Sequence, residues 1–134
     1  MSGLTLHTDG AARGNPGHAG AGAVLLDKEG GEVAAFKRYL GKATNNVAEY
    51  EALLLGLKGA RDMGVSELTV KLDSELLVKQ LTGVYQVKSP HLKPLHKRAL
   101  ELLKGFSRVD VVHVRRNFNK LADKLANQAI DEAL

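Results

Sequence analysis

Apolar and polar positions alternate through residues 4–9, the signature of a half-buried strand. Leu4 and Leu6 interleave with Thr5 and His7, the run delivers Thr8-Asp9-Gly10, and Gly14-Asn15-Pro16-Gly17 then ends or bends it. Residues 19–27, rich in Gly, Ala, Val and Leu, predict a second strand. Lys28-Glu29-Gly30-Gly31 supplies a hairpin turn, and residues 32–40 predict a third strand returning antiparallel. From Thr44 the period becomes helical. Asn46 with Glu49 three residues on matches a capping box with Asn as the cap. Glu49, Ala52, Leu53, Gly56 and Ala60 then share one face, and Gly64 fits a C-terminal cap. Glu49 thus opens a core-facing stripe, where a carboxylate is costly unless paired or coordinated.

Residues 67–72 predict a fourth strand that delivers Asp73, with Ser74 or Asp73 itself available to cap a helix over 75–82. A loop follows over 83–90, and Pro94 opens a helix reaching about Lys104. Residues 109–114 predict the fifth strand and 119–134 a terminal helix striped by Leu121, Ala122, Leu125, Ala126, Ala129, Ile130 and Ala133. A helix between strands three and four favours a right-handed crossover and parallel pairing. The order βββαβααβα therefore predicts an α/β fold: a mixed five-stranded sheet, three antiparallel strands and then parallel ones, with helices on both faces. With no internal repeat, low-complexity tract or linker, residues 1–134 are expected to form one domain.

Composition narrows the function classes. Hydrophobic content of 44% and charged content of 25% are ordinary for a soluble globular protein. No apolar run approaches the roughly 18 residues of a membrane span, and no basic-then-apolar leader opens the chain, so a cytoplasmic protein without a membrane partner is expected. Cysteine is absent, so any metal must be held by oxygen or imidazole. The net charge of +4 favours polyanionic partners only mildly.

Against this basic background stand four separated acids, Asp9, Glu49, Asp73 and Asp123, each at the edge of a regular element. Singly, each has an innocent explanation: a turn, a capping box, a helix cap, a helix first turn. Together they offer one carboxylate from each of four elements. Two carboxylates about 4 Å apart repel by roughly 4 kcal/mol at an effective dielectric near 20, and divalent cations are the natural remedy. All-oxygen ligation points to Mg²⁺ or Mn²⁺, and a pair of such ions suits in-line phosphoryl displacement.

The segments Thr8-Asp9-Gly10 with Gly14-Asn15-Pro16-Gly17, Thr44-Asn45-Asn46 with Glu49, Leu72-Asp73-Ser74, and Asn119 with Ala122-Asp123 and Leu125-Ala126 resemble type 1 ribonuclease H in order and spacing. The resemblance implies the ribonuclease H fold and endonucleolytic hydrolysis of the RNA strand of an RNA–DNA hybrid, leaving 5′-phosphate and 3′-hydroxyl ends. It implies Asp9, Glu49, Asp73 and Asp123 as ligands of two Mg²⁺ ions, with Mn²⁺ as a substitute and Asp9 bridging. It further implies that Gly14, Asn15, Asn45 and Glu75 lie along the minor groove, where the 2′-hydroxyl distinguishes RNA from DNA, and that Thr44 and Asn46 touch a DNA phosphate.

Two departures from that family pattern bear on function. The basic, tryptophan-rich protrusion of many relatives is missing: there is no Trp, and only Lys88, His91, Lys93, His96, Lys97 and Arg98 stand nearby. The loop that often carries a mobile His or Glu reads Arg115-Arg116-Asn117-Phe118-Asn119, leaving His113 or Arg116 as auxiliary candidates. His7, two residues before Asp9, reads either as a partner of the acids or as a packed strand histidine. The short loop resembles a compact branch, some members of which also cut double-stranded RNA. A monomer is expected. The competing readings are the same fold acting on double-stranded RNA or DNA, and a non-catalytic hybrid-binding module.

Overall fold

The computed structural model describes residues 3–134. Its sheet has the strand order β3-β2-β1-β4-β5, built from β1 (Leu4–Gly14), β2 (Gly17–Leu26), β3 (Glu32–Ala43), β4 (Glu67–Leu72) and β5 (Arg108–His113). The first three strands form an antiparallel meander, while β4 pairs parallel with both β1 and β5. The helices are α1 (Asn45–Asp62), α2 (Glu75–Leu81), α3 (Lys93–Leu103) and α4 (Lys120–Ala133), and one 3₁₀ turn spans Arg116–Phe118. The expected element order and mixed sheet are both present.

Two local expectations are corrected. β1 does not stop at Asp9 but stays paired with β2 until Gly14 meets Gly17, so the Gly14–Gly17 residues close a hairpin. Asp9 is therefore mid-strand, opposite Gly22, and lies one residue past the last parallel pair, Thr8 with Leu72. The second correction concerns the cap of α1. Thr44 is the N-cap, its Oγ1 accepting from the Val47 N–H at 3.3 Å, so Asn46 lies inside the helix. Asn and Thr are both good caps, and the choice fell to the residue that leaves β3 extended.

Helices cover both faces of the sheet. Adjacent strand positions point to opposite faces, and the structure uses this at Asp9 and Gly10. Gly10 faces the start of α1, where a Cβ would overlap the Ala48 backbone. Gly22, the cross-strand partner of Asp9, faces α4, where a Cβ would overlap the Ala122 carbonyl. The α1 side holds the main core, in which Leu6, Leu25, Leu53, Leu57 and Val70 are fully enclosed. The α2–α3 pair is tied to it by a buried Tyr50 hydroxyl that donates to Gln80 Oε1 at 2.6 Å. Among the described residues no helix is long and apolar enough to cross a membrane.

Candidate active site

The close approaches at Gly10 and Gly22 set up the site. Because Gly10 has no side chain, the first turn of α1 sits directly on β1, and Glu49 Oε1 accepts from the Gly10 N–H at 2.7 Å. Glu49 is consequently turned into the protein rather than back to its own helix N-terminus, and it is 8% exposed. Gly22 lets α4 come down on the other face, which brings Asp123 of its first turn toward Asp9. Asp73 follows β4 and is not consumed as a cap, since the Leu77 N–H binds Ser74 Oγ at 3.2 Å. Asp9, Glu49 and Asp73 each place an oxygen within 4.8 Å of the others. Asp123 lies outside that tight trio, yet it lines the same open cleft of about 380 Å³. Its Oδ1 is steadied by the Asn127 side chain at 3.3 Å.

The electrostatics follow from packing. Burial pushes the Asp9 carboxyl up to about 11, reinforced by Glu49, Asp73 and Asp123. Burial also raises Glu49, to about 7, although the hydrogen bonds from Asp9 and the Gly10 N–H and the nearby Arg116 hold it down. Without a cation, burial and mutual repulsion favour a proton shared within the Asp9–Glu49 pair. Such a trio of oxygen donors, with too few protein cations to neutralise it, fits a hard divalent ion. Arg116 is the basic residue lining the cleft.

A further residue holds the cleft together. Asn119, 1% exposed, donates through Nδ2 to the Thr8 carbonyl at 2.8 Å and to Asp73 Oδ2 at 3.1 Å. Its Oδ1 meets His7 Nδ1 at 3.1 Å. One side chain thus spans β1, the end of β4 and the start of α4, and His7 is the partner that orients it. Burial lowers the pKa of His7 and favours the neutral ring.

Beside the cleft the hairpin turn docks on α1, with Asn15 Oδ1 accepting from the otherwise orphaned Asn45 N–H at 3.0 Å. Asn45 and Asn46 line both the acidic cleft and a second groove, of about 690 Å³, that also meets Asn15, Thr44, Ser89 and His91.

Comparison with known proteins decides the family. A family model described as reverse transcriptase-like matches residues 7–129. Ribonuclease HI of Halobacterium salinarum is 47% identical over 93% of this chain and 63% of its own length. The N-terminal RNase H domain of Rv2228c from Mycobacterium tuberculosis superposes with a TM-score of 0.95 at 42% identity, covering 99% of this chain and 96% of that one. LC11-RNase H1, solved in complex with an RNA/DNA hybrid, gives a TM-score of 0.92 at 41% identity over 97% and 98% of the two chains. The chain belongs to the type 1 ribonuclease H family. It spans 63% of the length of the halobacterial protein and 36% of the full mycobacterial Rv2228c protein, less than two thirds of either.

As a type 1 ribonuclease H, the chain brings Asp9, Glu49, Asp73, Asp123, Asn45 and Asn46 to one cleft, and Asn15 and Thr44 to the adjoining groove. Gly14 takes a left-handed φ of 107° at the hairpin. Glu75 stands exposed at the start of α2, bound to Lys79 at 2.7 Å, which keeps its carboxyl below the usual range. The two auxiliary candidates separate. Arg116 faces the acids, whereas His113 ends β5 against Leu72 and is sensed by Glu75. The role of Asn119 in joining His7 to Asp73 was not legible from its motif; the one available signal was a buried-type asparagine immediately before a helix.

Proposed function

We propose that the chain is a metal-dependent endoribonuclease that hydrolyses the RNA strand of RNA–DNA hybrids, with residues 1–134 acting as one domain. The observation that carries this reading is the convergence of Asp9, Glu49 and Asp73 within 4.8 Å, with Asp123 across the same cleft. A related protein, LC11-RNase H1, has been solved with an RNA/DNA hybrid, which supports the substrate.

Asp9, Glu49, Asp73 and Asp123 would hold two Mg²⁺ ions, or Mn²⁺ in their place. When bound, such ions neutralise phosphate charge and activate water for in-line attack. The chain's own groups do the rest. Asn15 and Asn45, with Gly14 allowing close backbone approach, face the shallow groove where the 2′-hydroxyl is exposed, and Glu75 borders it from α2. Thr44 and Asn46 meet a phosphate of the DNA strand. Arg116, lining the cleft, offers positive charge to the scissile phosphate. Water attacks phosphorus, the P–O3′ bond breaks, and the fragments carry 5′-phosphate and 3′-hydroxyl ends.

The test is a panel of labelled hybrid, duplex RNA and duplex DNA with each metal, run on wild type and Asp9→Asn. Hybrid cleavage by wild type that falls beyond about 10³-fold in the variant, the upper range for losing one electrostatic group, is expected. Undiminished cutting by Asp9→Asn would remove the assignment, and preferential cutting of duplex DNA would reassign the substrate.

A further inference from the structure

Residues 7, 9, 11 and 13 share one face of β1, the face on which α4 is seated. In that row Asp9 lies between His7 and Arg13, and each of these two reaches an asparagine at or near the start of α4. His7 Nδ1 meets Asn119 Oδ1 at 3.1 Å, and the nitrogen is the donor because an amide oxygen only accepts. Asn119 then turns its Nδ2 to Asp73 Oδ2 at 3.1 Å. Arg13 Nη2 donates to Asn127 Oδ1 at 3.3 Å, and Asn127 turns its Nδ2 to Asp123 Oδ1 at 3.3 Å. The same device is used twice, once for each of two acids: a β1 side chain holds the oxygen of an amide whose nitrogen faces a carboxylate.

The orientation matters because an asparagine has a donor end and an acceptor end, and half a turn about its last bond exchanges them. With Oδ1 held by Arg13, the donor end of Asn127 faces Asp123. Released, the amide is free to present its oxygen to the carboxylate, which repels it. Arg13 also reaches the Asn127 carbonyl at 3.4 Å, and Asn127 Nδ2 donates back to the Asp123 carbonyl at 3.1 Å. Asp123, Asn127 and Asp131 follow one another at four-residue spacing along one flank of α4. Asp131 Oδ1 accepts from Arg13 Nη2 at 2.7 Å and fixes the far end of the row. Both members of that pair are exposed, so it adds little to stability. Its effect falls on where Arg13 points.

We propose that Arg13 is a positioning residue for Asp123: it fixes the Asn127 amide and, through it, the direction of the fourth carboxylate. Arg13 does not line the acidic cleft, so it acts at a distance from the reacting groups. Asp123 lies outside the tight trio of Asp9, Glu49 and Asp73, so its place in a metal site depends on how it is aimed. The inference rests on the functional reading above, in which Asp123 is a metal ligand, and adds to it a residue from the strand end next to the hairpin.

The test compares wild type, Arg13→Met, Asn127→Ala and the double variant, with melting curves to check that each folds. On labelled hybrid, Arg13→Met should lower kcat and raise the half-activating Mg²⁺ concentration by about 3- to 10-fold each, less than the 10- to 100-fold usual for a group that itself touches a metal ligand. KM, and the salt dependence of hybrid binding in EDTA, should stay as in wild type. Substrate-free Mn²⁺ binding, read from the electron paramagnetic resonance of the free ion, should weaken by a similar factor. Because Arg13 acts through Asn127, adding Arg13→Met to Asn127→Ala should cost nothing further. Losses that multiply in the double variant, or Mn²⁺ affinity that Arg13→Met leaves unchanged, overturn the positioning role. A log–log salt slope shallower by about 1 with kcat unmoved also overturns it, since Arg13 is then a phosphate contact. A wild type that binds Mn²⁺ yet cuts no hybrid overturns the functional reading instead, and the Mn²⁺ affinities still decide the role of Arg13.

Discussion

The acidic cleft and the basic face of α3 (Lys93–Leu103) are built on opposite physical terms. In the cleft, acids from β1, α1 and the end of β4 are forced together, buried and mutually perturbing, and they persist because two glycines allow helices to seat on the sheet. On α3 the cations are exposed and, among the described residues, none is ion-paired, so packing constrains them far more loosely. One region lowers the stability of the metal-free fold in order to hold a reactive centre; the other costs the fold almost nothing. Changes in the cleft should therefore disturb folding, geometry and chemistry together, and changes at the exposed lysines of α3 should leave the fold almost untouched.

The widest separation between the regions is expected at Gly22. A methyl there meets the Ala122 carbonyl, a backbone group that cannot swing aside. Gly22→Ala should lower stability by about 3 kcal/mol, within the range for overpacking. Lys97→Ala should stay within about 0.5 kcal/mol. Paired denaturant melts check this, and equal losses would erase the contrast.

Next in size is Asn119→Ala. Cutting the tie between His7, Thr8 and Asp73 should reduce activity by about 10- to 100-fold, the usual effect of losing a partner that orients a ligand. The concentration of Mg²⁺ needed for half-maximal activity should rise with it. A fall in activity with an unmoved metal midpoint would mean that Asn119 matters only for packing. Arg116→Gln should cost less, about tenfold, as one electrostatic group at the cleft rim, and His113→Gln should cost nothing measurable. Steady-state rates on one hybrid decide, and a larger loss at His113 would reverse the assignment.

The regions also differ in how far they could be read from residues alone. Strand alternation, the Gly30-Gly31 turn and the period change at Thr44 located the elements of the fold to within a few positions, because local pattern and burial agree there. The acids stood out because each was expected to follow or open an element, as Asp73, Glu49 and Asp123 do and the mid-strand Asp9 does not. Other features depended on tertiary contacts. Thr44 and Asn46 are equally plausible caps until the exit of β3 is known. The continuation of β1 past Asp9 depends on its pairing with β2. The partners of Asn119, Thr8 and Asp73, lie 111 and 46 residues away, beyond any local signal.

The smallest effect concerns pH without metal. Asp9 and Glu49 both have folded pKa values above their ordinary ones, so the folded chain holds protons that the unfolded chain has released. Stability should be full below about pH 4 with respect to these groups and should fall as pH rises through about 7, where Glu49 ionises. In EDTA, Asp9→Asn should flatten that decline and gain about 1 kcal/mol at neutral pH, roughly 4 °C in Tm. A variant that melts lower than wild type under these conditions would contradict the linkage.

The most direct test of the converging acids is a thermal melt across a Mg²⁺ titration, for wild type and Asp9→Asn side by side. Binding to the folded state alone raises Tm with concentration, and proton release should make the rise larger at higher pH. The account predicts a pH-dependent rise in wild type that keeps growing with the logarithm of the Mg²⁺ concentration, and none in Asp9→Asn. Equal rises in both proteins, or no rise in wild type, would contradict it.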